Sequence, residues 1–302
     1  MRILNKILDL SIYFYFDASG FERHKGEYFL NDINLEDKSI LITGGTSGIG
    51  KACAELCLNY GAQAIVTGRD EEKGKKSVET KDRLHFMKLD LIEWDEFTQF
   101  AEKIERPLDG IVLNAGGMPE SFSKNRYGVE TQMASQLFGH YFLLKTLIKL
   151  KKIKDGARVV WVSSGGMYLT KLHKDNIFKN NEYNKIATYA NVKKAQVNLL
   201  DEFSAEFSKY NISGMHPGWV DTPGLRSSIG GFFKKMERRL RKPEQGADTI
   251  VWLLGSKNKP KSGGFYFDRK VVSKNLFFNR PPKEMILSFK EILDKFYNNI
   301  KA

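Results

Sequence analysis

Cysteine is almost absent: Cys53 and Cys57 are the only two in 302 residues. They fall in a predicted helix with no histidine near them in sequence, so neither a disulfide framework nor the roughly four-ligand set of a zinc site can be assembled. Both read as small buried apolar groups in a reducing compartment, and no metal is expected. Long apolar runs are missing too. The N-terminal stretch with Ile3, Leu4, Ile7, Leu8, Ile12 and the aromatic run Tyr13–Phe16 falls short of the ~20 residues of a spanning helix and is interrupted by Arg2, Lys6, Asp9 and Asp17. No small-residue cleavage site follows, which argues against a secretory signal. Segregated charge is the third absence. The net charge is +12, but the lysines are scattered and mixed with acids, which describes a solvated surface and not a nucleic-acid partner.

What is present is enough apolar sequence, 41% of residues, for one large core. One domain with appendages follows: an N-terminal arm over 1–38, a catalytic domain over 39–280 and a C-terminal amphipathic helix over 281–302. Ser39–Thr43 is a β-branched run leading into Gly44-Gly45-Thr46-Ser47-Gly48-Ile49-Gly50, after which Lys51–Tyr60 has helical periodicity. Glycines in that setting let the backbone turn sharply and approach a pyrophosphate, while the helix start offers free N–H groups and a positive dipole end. The next strand, Gln63–Thr67, ends in Gly68-Arg69. An acid there would take the ribose hydroxyl of NAD; here the acid is missing, Arg69 follows at once and Lys51 closes the glycine loop, which predicts NADP(H) in preference to NAD(H). The competing reading of Arg69 is a solvated loop charge beside Asp70. Leu84–Leu89 and Asp109–Leu113 read as further strands, followed by Asp90-Leu91 and by Asn114-Ala115-Gly116-Gly117. Such alternation implies an α/β fold, a Rossmann-like doubly wound parallel sheet with helices on both faces and ligands at the strand C-termini.

The segment Ile186–Leu200 places Tyr189 and Lys193 one turn apart on a helix face. An ammonium beside a phenol favours phenolate and lowers the tyrosine pKa, the direction a general acid/base near neutrality requires. A solvated pair is the bland alternative, and the other motifs decide against it.

With TGxxxGIG at Thr43–Gly50, Asp90-Leu91, LNAG at Leu113–Gly116, Ser163-Ser164, YxxxK at Tyr189–Lys193 and Pro217-Gly218, the chain resembles the short-chain dehydrogenases/reductases over residues 39 to about 268. The resemblance implies that Tyr189 is the proton donor in reduction, that Lys193 lowers its pKa and holds the nicotinamide ribose, and that Ser164 hydrogen-bonds the substrate carbonyl. It implies a cofactor site made of Thr43, Gly44, Thr46, Ser47, Gly48, Ile49, Gly50, Arg69, Asp90, Leu91, Asn114, Ala115, Gly116, Pro217, Gly218 and Thr222, together with Tyr189 and Lys193. One departure stands out. Where the family usually has an asparagine thought to hold a water in a proton relay, this chain has Gln136, the same amide one methylene farther out.

The expected reaction is NADP(H)-dependent interconversion of a carbonyl and an alcohol on a small, largely apolar or lipid-like molecule. Gly165–Ile186 and a lid at about 223–242 would shape its pocket. In the lid Phe232, Phe233, Met236 and Leu240 recur at helical spacing, with Lys234, Lys235, Arg238, Arg239, Arg241 and Lys242 between them. A lid with its charges in water is expected; a basic helix on an anionic membrane is the alternative. The arm is read likewise as packing on the domain or a second subunit, ahead of resting on a membrane. His216 is read as structural. The apolar face of the C-terminal helix packs on the domain, with a homodimer contact as the alternative. The site expected is cytoplasmic, with peripheral membrane contact as a second reading. Two other classes compete with the enzyme: a cofactor-binding scaffold of little turnover, for which only Gln136 speaks, and a membrane-surface adaptor.

Overall fold

Ser39–Ile42 (β1) is buried at every position and Leu108–Leu113 (β4) at all but one, the pattern of strands covered on both faces. With Gln63–Gly68 (β2), Leu84–Lys88 (β3), Ile153–Val162 (β5), Asn211–Met215 (β6), Phe265–Phe267 (β7) and Lys270–Val271 (β8) they form one sheet in the order β3-β2-β1-β4-β5-β6-β7-β8. All neighbours are parallel except the final β7–β8 pair. This computed structural model describes residues 11–26, 28, 32–178 and 183–301; Ile3, Leu4, Ile7 and Leu8 of the arm lie outside the described residues.

Because successive side chains of a strand point to opposite faces, the sheet feeds two cores. Leu41, Ile111, Leu113, Val159 and Trp161 join Phe97, Phe138, Phe142 and Phe203 on one side. Ile40, Ile42, Val66, Val112 and Val160 join Ala52, Cys53, Cys57 and Ile250 on the other, so both cysteines are buried thiols as expected. Strand order reverses between β1 and β4, so the loops after these strands open into one crevice at the switch point of the sheet. Asn211-Ile212-Ser213 has the Asn-X-Ser pattern of a glycosylation acceptor, but Asn211 is buried in β6.

In chain order the helices are Ile12–Tyr15 (α1), Ala18–Lys25 (α2), Gly48–Asn59 (α3), Glu71–Val78 (α4), Phe97–Glu102 (α5), Thr131–Met133 (α6), His140–Lys149 (α7), Lys185–Asn198 (α8), Leu200–Glu206 (α9), Pro223–Ser228 (α10), Gly230–Met236 (α11), Pro243–Gly255 (α12) and Lys283–Lys301 (α13). Helix α3 starts inside the glycine turn, three residues before the sequence periodicity shows it. Helix α13 lays Phe289, Leu293 and Tyr297 into the first core. None of the described helices is long and apolar enough to cross a membrane.

The arm packs on the domain. Phe16 and His24 are buried, Tyr15 and Phe16 pack their rings against Phe267 at the end of β7, and Trp219 N–H and Arg241 Nε donate to the Phe16 carbonyl at 2.9 and 3.0 Å. This corrects the lid. Arg241 is not one of its solvated charges: it is buried, with its guanidinium forked onto Asp268 at 2.5 and 2.9 Å, and His24 Nδ1 lies 2.6 Å from the same carboxylate. Arg239 forks onto the buried Asp17, and Met236 and Leu240 turn inward. The lid is two short helices and a 3-10 turn, so the periodicity from Phe232 to Leu240 that suggests one amphipathic helix runs past the end of α11 at Met236 into the 3-10 turn and an interior-facing end.

Candidate active site at the switch point

The turn after β1 is built for close approach. Gly44 and Gly48 stand at φ +65° and +53°, where a side chain is strained, and a Cβ on Gly50 would lie 2.3 Å from the Gly44 carbonyl. Ser47 is the N-cap of α3 but makes no side-chain cap, and the first turn carries no acid, so the N–H groups and positive dipole end remain for an anion. Ile49 is half-buried beneath the turn, and Thr46 leans over Gly68. Across the turn, Thr222 caps α10 through Leu225 N–H at 3.1 Å and sets its methyl beside Gly48. A dinucleotide pyrophosphate fits this cradle.

Asn114 spends its amide on the turn, donating to the Thr43 and Gly44 carbonyls at 3.0 and 3.2 Å, and Ala115 packs on Gly44. Thr43 Oγ1 accepts from the Asn114 and Ala115 N–H groups at 2.9 and 3.0 Å, tying β1 to β4. Its own hydrogen has two acceptors in reach, His140 Nε2 at 2.9 Å and the Val112 carbonyl at 3.3 Å, the imidazole being the nearer. The tautomer follows from the other nitrogen: His140 Nδ1 lies 2.9 Å from the Gln136 carbonyl, which only accepts, so Nδ1 carries the proton and Nε2 accepts. Burial holds this imidazole neutral, pushing its pKa down to about 3.

His140 and the Gln136 backbone escaped the sequence reading, and the reason is local. Ala134–Gly139 is a π-helical turn between α6 and α7, and the Gln136 carbonyl within it accepts both His140 Nδ1 and Gln196 Nε2, the latter at 2.6 Å. Side chains inserted into a helix ladder produce such turns, and apolar periodicity does not register them. The Gln136 side chain donates to the Gly117 carbonyl at 2.8 Å, while its Oε1 is buried without a partner. The point where a Cβ would stand on Gly116 is 2.7 Å from that Oε1 and 3.6 Å from Lys193 Nζ.

The remaining reactive groups meet beside it. Ser163 donates to the Lys193 carbonyl at 3.1 Å and is occupied structurally, whereas the Ser164 hydroxyl accepts from Gly166 N–H at 3.2 Å and stands near enough to the Tyr189 phenol to lower its pKa. Lys193 is buried, donates to the Val162 carbonyl at 2.9 Å, and sits 5.3 Å from the Tyr189 ring centroid. The expected pKa order is reversed. Burial pushes the Tyr189 phenol up to about 12, with the Ser164 hydrogen bond pulling it only part of the way back. Burial also pushes Lys193 down to about 7, so desolvation dominates both members of the pair.

The outer positions divide. Arg69 is exposed just beyond β2, and Asp90 stands beside it at the end of β3, its carboxylate accepting from Ile92 N–H at 3.2 Å. Leu91 is buried, and its carbonyl would be 2.2 Å from a Cβ on Gly139 in the π turn. Pro217 and Gly218 follow β6, but Gly218, at φ +77°, is a glycine because Arg241 Nε and the Phe16 carbonyl would each stand 2.6 Å from a Cβ there. His216 is buried and stacked on Phe267 at 4.2 Å, as its structural reading anticipates.

A doubly wound sheet with a glycine turn at its switch point and a Ser–Tyr–Lys cluster beside it defines a nicotinamide-dependent oxidoreductase. The chain belongs to the short-chain dehydrogenases/reductases: the family model described as short chain dehydrogenase matches residues 38–229. It is similar to dehydrogenase/reductase SDR family member 12 of Bos taurus, 32% identical over 276 residues that cover 86% of each chain. Human polyprenol dehydrogenase is 28% identical over 263 residues, covering 80% of this chain and 79% of that one. The crystal structure of an uncharacterized protein from Mycobacterium Paratuberculosis superposes with a TM-score of 0.72 at 20% identity, covering 89% of this chain and 96% of that one. The protein is thus an oxidoreductase that acts between alcohol and carbonyl with a nicotinamide cofactor.

Proposed function

We propose that this enzyme takes NADP(H), works on an apolar, lipid-like alcohol or carbonyl, and uses Tyr189 as its acid/base. The observation that carries the reading is the cluster itself: Lys193 Nζ lies 5.3 Å from the centre of the Tyr189 ring, and Ser164 is close enough to the phenol to lower its pKa. The dinucleotide, seated on Gly44–Gly50 with its 2′-phosphate toward Arg69, supplies or accepts the hydride. In reduction Tyr189 gives its hydroxyl proton to the substrate oxygen, and Ser164 donates a hydrogen bond to the alkoxide as charge develops. The unpartnered Gln136 Oε1 and Lys193 Nζ both approach Gly116 from the same side, and a water bridging the two would return the proton to the phenol. An apolar substrate is supported by the likeness to polyprenol dehydrogenase. NADP(H) is supported by the exposed Arg69 where a 2′-hydroxyl-binding acid would stand.

Fluorescence titration of NADPH and NADH against wild type and Arg69→Ala tests the cofactor. NADPH is expected to bind tighter, and the substitution to lose about tenfold or more in NADPH affinity while NADH is untouched. Equal affinities in the wild type would sink the NADP(H) assignment. A cofactor-binding scaffold, favoured by Gln136, is separated by Tyr189→Phe: no carbonyl turnover in either protein, with cofactor binding intact, selects the scaffold.

A further inference from the structure

Single exposed apolar side chains are ordinary, but several large ones held together are not. Among the described residues Phe277 is 102% exposed, Leu169 80% and Phe278 73%, the highest values for any large hydrophobic side chain. Their exposure is built into the fold. The two rings ride on the 3-10 turn Phe277–Asn279, whose last residue is buried and spends its whole amide on anchorage. Asn279 Oδ1 accepts from Leu276 N–H at 3.1 Å and from Lys194 Nζ at 3.0 Å, and Nδ2 donates to the Tyr168 carbonyl at 2.6 Å. The Tyr168 hydroxyl in turn donates to the Ser273 carbonyl at 2.5 Å. Leu169, next to Tyr168, is thereby fixed beside the aromatic turn.

The charge around this patch is of one sign in the main. Arg280 and Lys283 are exposed on the same segment, and Lys171 and Lys174 follow Leu169. Against them stand the exposed Asp175 and Glu284, while Lys274 is paired with Asp201 at 2.7 Å. An exposed aromatic pair with exposed cations on either side of it in the chain complements an interface that is apolar inside and anionic at its rim. We infer that Phe277, Phe278 and Leu169 are a docking surface for an anionic lipid bilayer. The lid offers less to such an interface, with Met236 and Leu240 turned inward and Arg241 buried. Two short chain connections link this surface to the candidate site: Ser164 caps the turn Gly165–Leu169, and Lys194, which anchors Asn279, follows Lys193 on α8.

Vesicle co-sedimentation decides it, using the full chain and vesicles of phosphatidylcholine with or without about 30% phosphatidylserine. Wild type is expected to sediment with the anionic vesicles, more weakly with neutral ones, and to be released by salt. Phe277→Ser with Phe278→Ser should lose about tenfold or more in partitioning, while circular dichroism and NADPH titration match wild type. As a second variant, Arg280→Glu with Lys283→Glu should lose binding to anionic vesicles alone. Three results would overturn the inference: wild type left in the supernatant, aromatic variants that bind as wild type does, or wild type that self-associates without vesicles while the aromatic variants stay monomeric, which would make the patch a contact between copies. Failure of NADPH to bind with vesicle binding intact would remove the cofactor reading and leave this one.

Discussion

Lys193 carries a cost that its proposed role beside Tyr189 would explain. Its ammonium is buried with one carbonyl partner and a pKa near 7 in place of 10.5. Between those two values the unfolded chain binds a proton that the folded one does not, so stability rises with pH across this window. Lys194, lowered to about 8, adds to the same trend in its upper part. Replacing Lys193 by Met should therefore raise stability near pH 7 by about 1–3 kcal/mol and shrink the gain seen on going to about pH 9.5, while abolishing turnover. Urea unfolding of the two proteins at both pH values measures this. A variant less stable than wild type at neutral pH would show that the Val162 hydrogen bond outweighs desolvation. Tyr189→Phe makes the complementary point. Removing the phenolic proton should cut turnover by about 10²–10⁴-fold and leave cofactor affinity within a factor of about two.

Among the elements, the arm depends most on a single ion pair. Burial pushes the Asp268 carboxyl up, but His24 and Arg241 together hold it below its usual value. Arg241→Met would leave that carboxylate buried with only His24 beside it, at a cost of about 3–5 kcal/mol, whereas Arg238→Met on the exposed side of the same turn should stay within about 0.5 kcal/mol. Amide exchange of residues 12–25 together with urea midpoints reads the outcome. Equal exchange in Arg241→Met and wild type would mean that the aromatic contacts of Phe16 hold the arm unaided. This dependence was hidden in the sequence because Arg241 and Asp268 are far apart along the chain, and a guanidinium among five other cations reads as solvated. The sheet was legible: Ser39–Thr43, Gln63–Thr67, Leu84–Leu89 and Asp109–Leu113 each lie within a residue of the strand ends observed. The site was legible where glycine or a fixed spacing carried it, as at Gly44–Gly50 and Tyr189–Lys193. It was illegible where solvation or backbone irregularity decided, as in the pKa order of Tyr189 and Lys193 and in the π turn that couples Gln136 to His140.

For the molecule as a whole, those buried imidazoles set an acid limit. His140 and His216 are both held neutral by burial, each with a pKa near 3 in place of 6.5. In that window the unfolded chain takes up protons that the folded chain refuses, so stability drops as pH falls below about 6.5. His216 lies against Phe267 with an unpartnered Nδ1, and a phenyl ring can occupy its place. His216→Phe should leave stability near pH 8 within about 1 kcal/mol and recover about 1–3 kcal/mol of what wild type loses by pH ~4. His140 differs in kind. Its Nε2 accepts the Thr43 hydrogen that orders the loops after β1 and β4, so protonating it breaks the cradle together with the core. NADPH affinity and stability should then fall over the same acid range in wild type and, with one titrating group fewer, still fall together in His216→Phe. Should affinity persist to a pH where urea unfolding shows the fold already weakened, the cradle would be independent of the His140 bond.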